Sequence, residues 1–337
     1  MSKDIPITLN RYKQDFNNYL TDLFEGKDHE LYSMMRHQLG WEGNKLSVPG
    51  KYVRPSLMLL AVEICDGEPS LALPAAVGLE LLHNFSLIHD DIQDESILRR
   101  GRETVWRKWN PSQAINAGDG MYALSRLILF EMEELGVSAE RIFHAGKLLD
   151  QTCLSLCEGQ YTDLQFQDQS EVTLSEYQLM IKNKTASAFR CAFEMGAVIA
   201  EGRSVRSEIF GSIGIELGLA YQIIDDVLDI WGGVETGKQI AIDLQQGKKS
   251  LPIVYGLNHH DSRQSEILRD FYNNDLQESN IAEVVSLLNS IGAREFCMDQ
   301  AELHWDKAVK LVNDLEVSKE NRDVFFLTGE YLLNRVS

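Results

Sequence analysis

Apolar positions recur every three to four residues along nearly the whole chain, the period of amphipathic helices rather than strands. The pattern predicts helices over about 8–24, 28–39 and 51–66, the last following a break at SVPG. A long helix follows the GEPS turn and runs to the acidic residues near 94, before Gly101 interrupts. Further helices are expected over roughly 111–135, 138–166, 174–200, 204–231, 249–258, 262–273, 278–291, 294–315 and 320–335. Thr173-Leu-Ser-Glu176 reads as a capping box opening the 174–200 segment. Residues 232–248, GGVETGKQIAIDLQQGK, form the one long polar, Gly-rich connection, a kind of loop that often carries function. There is no run of alternating β-branched residues between hairpin turns and no low-complexity linker. The expectation is one all-α domain over residues 1–337.

Composition narrows the function classes. An apolar share of 44% with 25% charged residues is that of a soluble globular chain, not a disordered one. The 32 basic against 51 acidic residues, a net of −19, argue against a nucleic-acid partner. The start, MSKDIPITLNRYKQDF, is polar and reads as no secretory leader. The most apolar stretch, LALPAAVGLELLHNFSLIH, carries Glu80 and two His, so no transmembrane segment is expected. Cys65, Cys153, Cys157, Cys191 and Cys297 show no CxxC spacing, which makes zinc a poor fit and points to reduced thiols in a cytoplasm.

Two acidic clusters stand out: His89-Asp90-Asp91-Ile-Gln-Asp94 and Gln222-Ile-Ile-Asp225-Asp226-Val-Leu-Asp229. Residues i and i+4 share a helix face, about 6 Å apart. Asp90 therefore projects with Asp94, and Asp225 with Asp229, with Gln222 on the latter side. One DDxxD would pass as a solvated helix end. With 23 Asp in the chain, chance supplies about 0.1 such patterns, so two are not expected by accident. Both are embedded in Leu and Ile at helix C-termini, where the macrodipole opposes negative charge. Crowded carboxylates of this kind call for a cation, and an oxygen-only donor set suits Mg²⁺ bridged to phosphate oxygens.

Phosphate also needs cations, and they are present. Residues 98–108 hold five basic residues (Arg99, Arg100, Arg102, Arg107, Lys108) and one acidic one. Lys51 and Arg54 open a helix in GKYVRP, Lys184-Thr185 sits inside a helix, and Lys238, Lys248 and Lys249 punctuate the long loop. Each alone is an ordinary surface cation; together they outline a site for a metal-bridged polyanion.

In order, GKxxRP, HDDxxD followed by RRG, KT, QxxDDxxD and a GK-containing loop ending in SLP resemble the trans-type isoprenyl diphosphate synthases, or polyprenyl synthetases. The motifs cover about residues 45–258. The resemblance implies an antiparallel all-α bundle around a deep central cavity, usually homodimeric, whose two acidic motifs face each other and hold three Mg²⁺ on the allylic diphosphate. It makes Asp90, Asp94 and Asp225 direct metal ligands, with Asp91, Asp226 and Asp229 acting directly or through water. Lys51, Arg54, His83 and Arg100 match the isopentenyl diphosphate positions. Arg99, Lys184, Thr185, Gln222, Lys238 and Lys248 match the allylic ones, while Gln160 and Asp163 fit the pattern without an assigned role. Ala241 stands where Gly is common, and Ser250 where Thr is common.

The implied reaction is ionisation of an allylic diphosphate, attack by the isopentenyl double bond, and proton loss. Phe85 and Ser86, five and four residues before Asp90, lie about 6–7.5 Å deeper along the helix. One aromatic and one small residue there resemble the pattern of enzymes making geranylgeranyl diphosphate, with farnesyl diphosphate the alternative product. A class I terpene cyclase is disfavoured by the second DDxxD and by GKxxRP, and a head-to-head condensing enzyme by the isopentenyl signature. A non-catalytic partner subunit is disfavoured because both acidic motifs are intact.

Overall fold

Helices begin and end where the sequence carries its punctuation. The structure is a computed structural model that describes residues 10–42, 45–46, 50–232, 244, 247–273 and 280–334. It is all-α, as the periodicity requires: α1 (Lys13–Phe24), α2 (Glu30–Gln38), α3 (Val53–Ile64), α4 (Leu73–Gln93), α5 (Val105–Lys108), α6 (Pro111–Leu127), α7 (Ala139–Asp168) and α8 (Leu174–Ile181). They are followed by α9 (Ser187–Glu201), α10 (Val205–Trp231), α11 (Leu251–Leu257), α12 (Ser262–Asn273), α13 (Ile281–Ser290), α14 (Ala293–Asp314) and α15 (Lys319–Leu333). Asn110 caps α6 by accepting the Gln113 N–H at 2.9 Å, with Pro111 in the first turn, where its missing donor costs nothing. The capping box at α8 is formed in full: Thr173 Oγ1 accepts the Glu176 N–H, and Glu176 accepts the Thr173 N–H at 2.8 Å.

Four details differ from the periodic reading. The 174–200 segment is not one helix, because Lys182–Ala186 widens into a π turn between α8 and α9. The 111–135 segment is α-helical only to Leu127 and then tightens into a 3₁₀ turn, Ile128–Glu133. Two short antiparallel hairpins appear, β1 (Trp41–Glu42) with β2 (Lys45–Leu46) and β3 (Leu98–Arg99) with β4 (Arg102–Glu103), too brief to leave an alternating signature. Finally, the stretch Pro69–Gln93 is long and apolar enough to cross a membrane by length and composition, against expectation, and 72% of its most apolar window is buried. That burial has a plain cause: α4 packs against α1, α3 and α6.

The chain divides into two compact units, Met1–Cys153 with Cys191–Gly211 and Val317–Phe325, and Leu154–Arg190 with Ser212–Glu316 and Phe326–Ser337. In the first, Leu57, Met58 and Leu79 are wholly buried, each contributing about 1.5–3 kcal/mol of apolar transfer free energy. Gly78 lets α4 and α6 close in, since a Cβ there would stand 2.8 Å from the Ser125 carbonyl oxygen. In the second, Phe166, Tyr177, Ile223, Val227, Leu251 and Cys297 form one core cluster, and Ile253, Leu268, Val284 and Leu288 form another. The first of these clusters includes Ile223, Ile224, Val227 and Leu228, which flank the second acidic motif on α10.

Candidate active site

In the first unit the opening acidic motif ends α4. Asp94 is the C-cap, its N–H donating to the Asp90 carbonyl at 2.8 Å, so the two carboxylates lie one turn apart and half-buried. Asp91 points inward, its side chain only 1% exposed, and accepts from Arg99 Nε at 2.8 Å. Burial pushes its carboxyl up to about 6, against the pull of Arg99 and helped by the Asp90 and Asp94 charges. Its second oxygen is buried without a hydrogen-bond partner.

Arg99 reaches Asp91 because of a tight hairpin. Arg99 pairs with Arg102, and the two turn residues, Arg100 (φ 53) and Gly101 (φ 75), are both left-handed, as a type I′ turn demands. Gly101 supplies this freely; Arg100 adopts it at a cost, which is common at functional sites. Thr104 Oγ1 and Trp106 Nε1 both donate to the Ser96 carbonyl, at 2.8 and 2.9 Å, and fasten the loop.

The positions matched to isopentenyl diphosphate gather in the same unit. Arg54, in the first turn of α3, lies 3.2 Å from His83 Nε2, and the Arg100 guanidinium stands beside Gly50. Burial, then the charges of Arg54, Arg100 and Arg99, hold His83 well below its ordinary range. It is therefore neutral, and because Arg can only donate, Nε2 accepts and the ring proton sits on Nδ1. Lys51 is exposed nearby in sequence. Glu80 belongs with this group, although sequence reading took it only as a charge breaking an apolar run. It is 5% exposed, accepts from Asn84 at 2.9 Å, and is raised by burial while Arg54 and Arg100 pull it back. A buried acid three residues before a helical His was the available signal. Phe85 packs against Tyr122, centroids 5.5 Å apart, and edge-on to His89; Ser86 donates to its own helix at the His83 carbonyl.

The second unit holds a cleft lined by Asp163, Tyr177, Lys184, Thr185, Gln222, Asp226 and Lys248, among others. The π turn aims two of them. Its extra residue turns Lys184 toward α7, where Nζ meets Asp163 at 2.5 Å, and turns Thr185 toward α10, where Oγ1 donates to Gln222 Oε1 at 2.7 Å. Gln222 Nε2 then donates to Asp226 Oδ1 at 2.8 Å. Asp226, 4% exposed, also accepts from Tyr177 and from the Leu251 N–H that opens α11. Asp225 is half-buried and Asp229 buried on the same helix. Gln160 and Asp163 are both buried on α7. Lys249, 4% exposed, donates to the Phe166 carbonyl at 2.6 Å and closes the C-terminal end of α7, and both it and Lys248 line the cleft. Lys238 and Ala241 lie outside the described residues.

Among the described residues no three His, Cys, Asp or Glu side chains are gathered as a metal-holding group. The chemistry still fits a hard cation: each motif offers carboxylate oxygens only, and Asp91 keeps one buried oxygen unpartnered. Tyr177 and the π turn escaped sequence reading. A Tyr in an apolar helix face must find a polar partner when buried, but nothing local names that partner.

A family model described as polyprenyl synthetase matches residues 43–288. The chain is 36% identical over 265 residues to a geranylgeranyl diphosphate synthase of Mycobacterium tuberculosis, covering 77% of this chain and 74% of that one. It is 32% identical over 303 residues to a (2E,6E)-farnesyl diphosphate synthase of Mycobacterium bovis, covering 87% and 83%. A crystal structure of a polyprenyl synthetase from Streptomyces coelicolor A3(2) superposes with a TM-score of 0.87 at 31% identity, covering 98% of this chain and all of that one.

Proposed function

The chain belongs to the polyprenyl synthetase family and is a short-chain prenyltransferase, and from that premise we propose that its main product is geranylgeranyl diphosphate. It is built by adding isopentenyl diphosphate to dimethylallyl, geranyl and farnesyl diphosphates. Both compact units then serve one catalytic domain, working as a homodimer in the cytoplasm. Exposed Ile115, Phe130 and Phe143 in the first unit support self-association, and five free cysteines support a reducing compartment.

Carboxylates of Asp90, Asp94 and Asp225 would hold Mg²⁺, with Asp91, Asp226 and Asp229 acting directly or through water. Mg²⁺ bound there supplies positive charge for the departing diphosphate. Arg99, Lys184, Lys238 and Lys248 bind the allylic diphosphate, and Asp163 keeps Lys184 in place when no substrate is bound. Lys51, Arg54 and Arg100 hold isopentenyl diphosphate; neutral His83 orients Arg54 by accepting from it. The observation that carries the reading is Thr185: its only hydroxyl proton is given to Gln222, so its lone pairs remain for an electron-deficient carbon. Met180 and Ile181 wall the cleft against water. The proton lost at the end goes to the released pyrophosphate.

For product length, Phe85 supplies one bulky side chain at the depth of a floor, and Ser86 leaves the next position small. Farnesyl diphosphate remains the second reading, because relatives of both names are similarly close. A product chromatogram of wild type and Phe85→Ala tests this. We expect a twenty-carbon product, lengthened in the variant; a fifteen-carbon product would favour the second reading, and an unchanged length would remove Phe85 as the floor.

A further inference from the structure

Tyr177 has no part in the assignments above, yet the chain of hydrogen bonds that ends on Thr185 starts from it. It sits on α8, 1% exposed, and its hydroxyl donates to Asp226 Oδ2. That same oxygen accepts the Leu251 N–H at 2.8 Å, and a backbone N–H can only donate. Oδ1 faces Gln222 at 2.8 Å. With the carboxylate acting as acceptor, Gln222 must turn its NH₂ toward it and its carbonyl toward Thr185. Thr185 is thereby made the donor at 2.7 Å, and its lone pairs are left for the cleft.

We propose that Tyr177 is a positioning residue for prenyl transfer: through Asp226 and Gln222 it fixes which way the Thr185 hydroxyl is polarised. The inference rests on the prenyltransferase reading of this cleft. Its logic is that a Gln amide reverses by a flip of nearly equal packing cost, so only its neighbours decide its direction. Two donors on Oδ2 hold Oδ1 within reach of Gln222; with one removed, the carboxylate can tilt away from Gln222, and the amide loses the acceptor that fixes its direction. A reversed amide would present NH₂ to Thr185, make the hydroxyl an acceptor, and turn its proton toward a developing cation. Asp226 is then the pivot of this chain.

The test is Tyr177→Phe in the full chain, which keeps the buried ring and removes the hydroxyl. Steady-state kinetics for both substrates would be joined by calorimetric binding of geranyl S-thiodiphosphate, which binds but ionises slowly, and by the melting temperature. We expect kcat to fall roughly tenfold, the share of one oriented dipole in the transition state. Both KM values and the analogue affinity should stay within about twofold, because the polarity acts only as charge develops. On a Thr185→Val background, Tyr177→Phe should add no further loss. Wild-type kcat in Tyr177→Phe, a matching loss of analogue affinity, or additive losses in the double variant would overturn the proposal. If Tyr177→Phe does not fold, Asp226→Asn replaces it: its amide faces Gln222 and inverts the chain with the same number of hydrogen bonds, and an unchanged Mg²⁺ concentration for half-maximal rate, measured alongside, distinguishes this from a lost metal ligand. The same fall in kcat is expected there, and wild-type kcat would equally overturn the proposal. A wild-type protein that transfers no prenyl group would instead refute the function itself, whereas active wild type with an unaffected variant refutes only the role of Tyr177.

Discussion

Gly159 on α7 lies directly against the backbone of Lys184: a Cβ added to Gly159 would overlap the Lys184 amide nitrogen. The π turn and α7 thus meet backbone to backbone, and this contact lets Asp163 and Lys184 pair. Gly159→Ala must push the turn away, an overpacking cost of about 1–3 kcal/mol. We expect a lower melting temperature and, because Lys184 and Thr185 move together, a fall in kcat of roughly tenfold or more. Circular dichroism and a pyrophosphate-release assay measure both; unchanged values would mean the turn is not set by this contact.

The acidic residues should be needed from both units. Asp90→Ala and Asp225→Ala each remove a carboxylate without touching the buried apolar face of the helix. Each variant should keep wild-type helicity and lose activity by roughly a hundredfold or more. Near-normal turnover in either would remove that motif from the reaction.

Most of the helices and both acidic motifs were legible because periodicity and spacing are local signals, whereas the breaks at Leu127 and Lys182 were not. What was not legible depends on contacts between distant residues. The π turn packs against Gly159, 25 positions before Lys184, whose lack of a side chain leaves room for the Lys184 backbone. The engagement of Asp226 depends on Tyr177 and the Leu251 N–H, and neither can be paired with it from a single sequence. Glu80 read as an interruption of an apolar stretch; only the fold sets it among arginines. Gly101 marked an interruption in the sequence, but Arg100 is not a residue that a type I′ turn favours and the strands are too short to announce a hairpin.

The two diphosphates should be separable by substitution. Arg54→Ala is expected to raise KM for isopentenyl diphosphate roughly tenfold while leaving the allylic KM nearly unchanged. Lys184→Ala should do the reverse. Initial rates measured against each substrate in turn decide it, and equal shifts in both would exchange or merge the proposed roles.

His83 makes stability depend on pH. Its folded value lies well below the ordinary 6.5 because of burial and the neighbouring arginines. Below 6.5 the unfolded chain takes up a proton that the folded chain refuses. The stability present above that pH is therefore lost as pH falls, by up to about 1.4 kcal/mol per pH unit. His83→Gln keeps an acceptor for Arg54 and has no proton to gain. Urea midpoints between pH 7.5 and 5.5 should fall more steeply for wild type than for this variant; parallel curves would show that His83 is not buried neutral.

The central claim is tested most directly by pyrophosphate release from purified protein with Mg²⁺ and farnesyl diphosphate, with and without isopentenyl diphosphate. The account predicts release only when both substrates are present, and none after chelation of the metal. Release from farnesyl diphosphate alone would mark a cyclase, and no release with both substrates and Mg²⁺ would contradict prenyl transfer altogether.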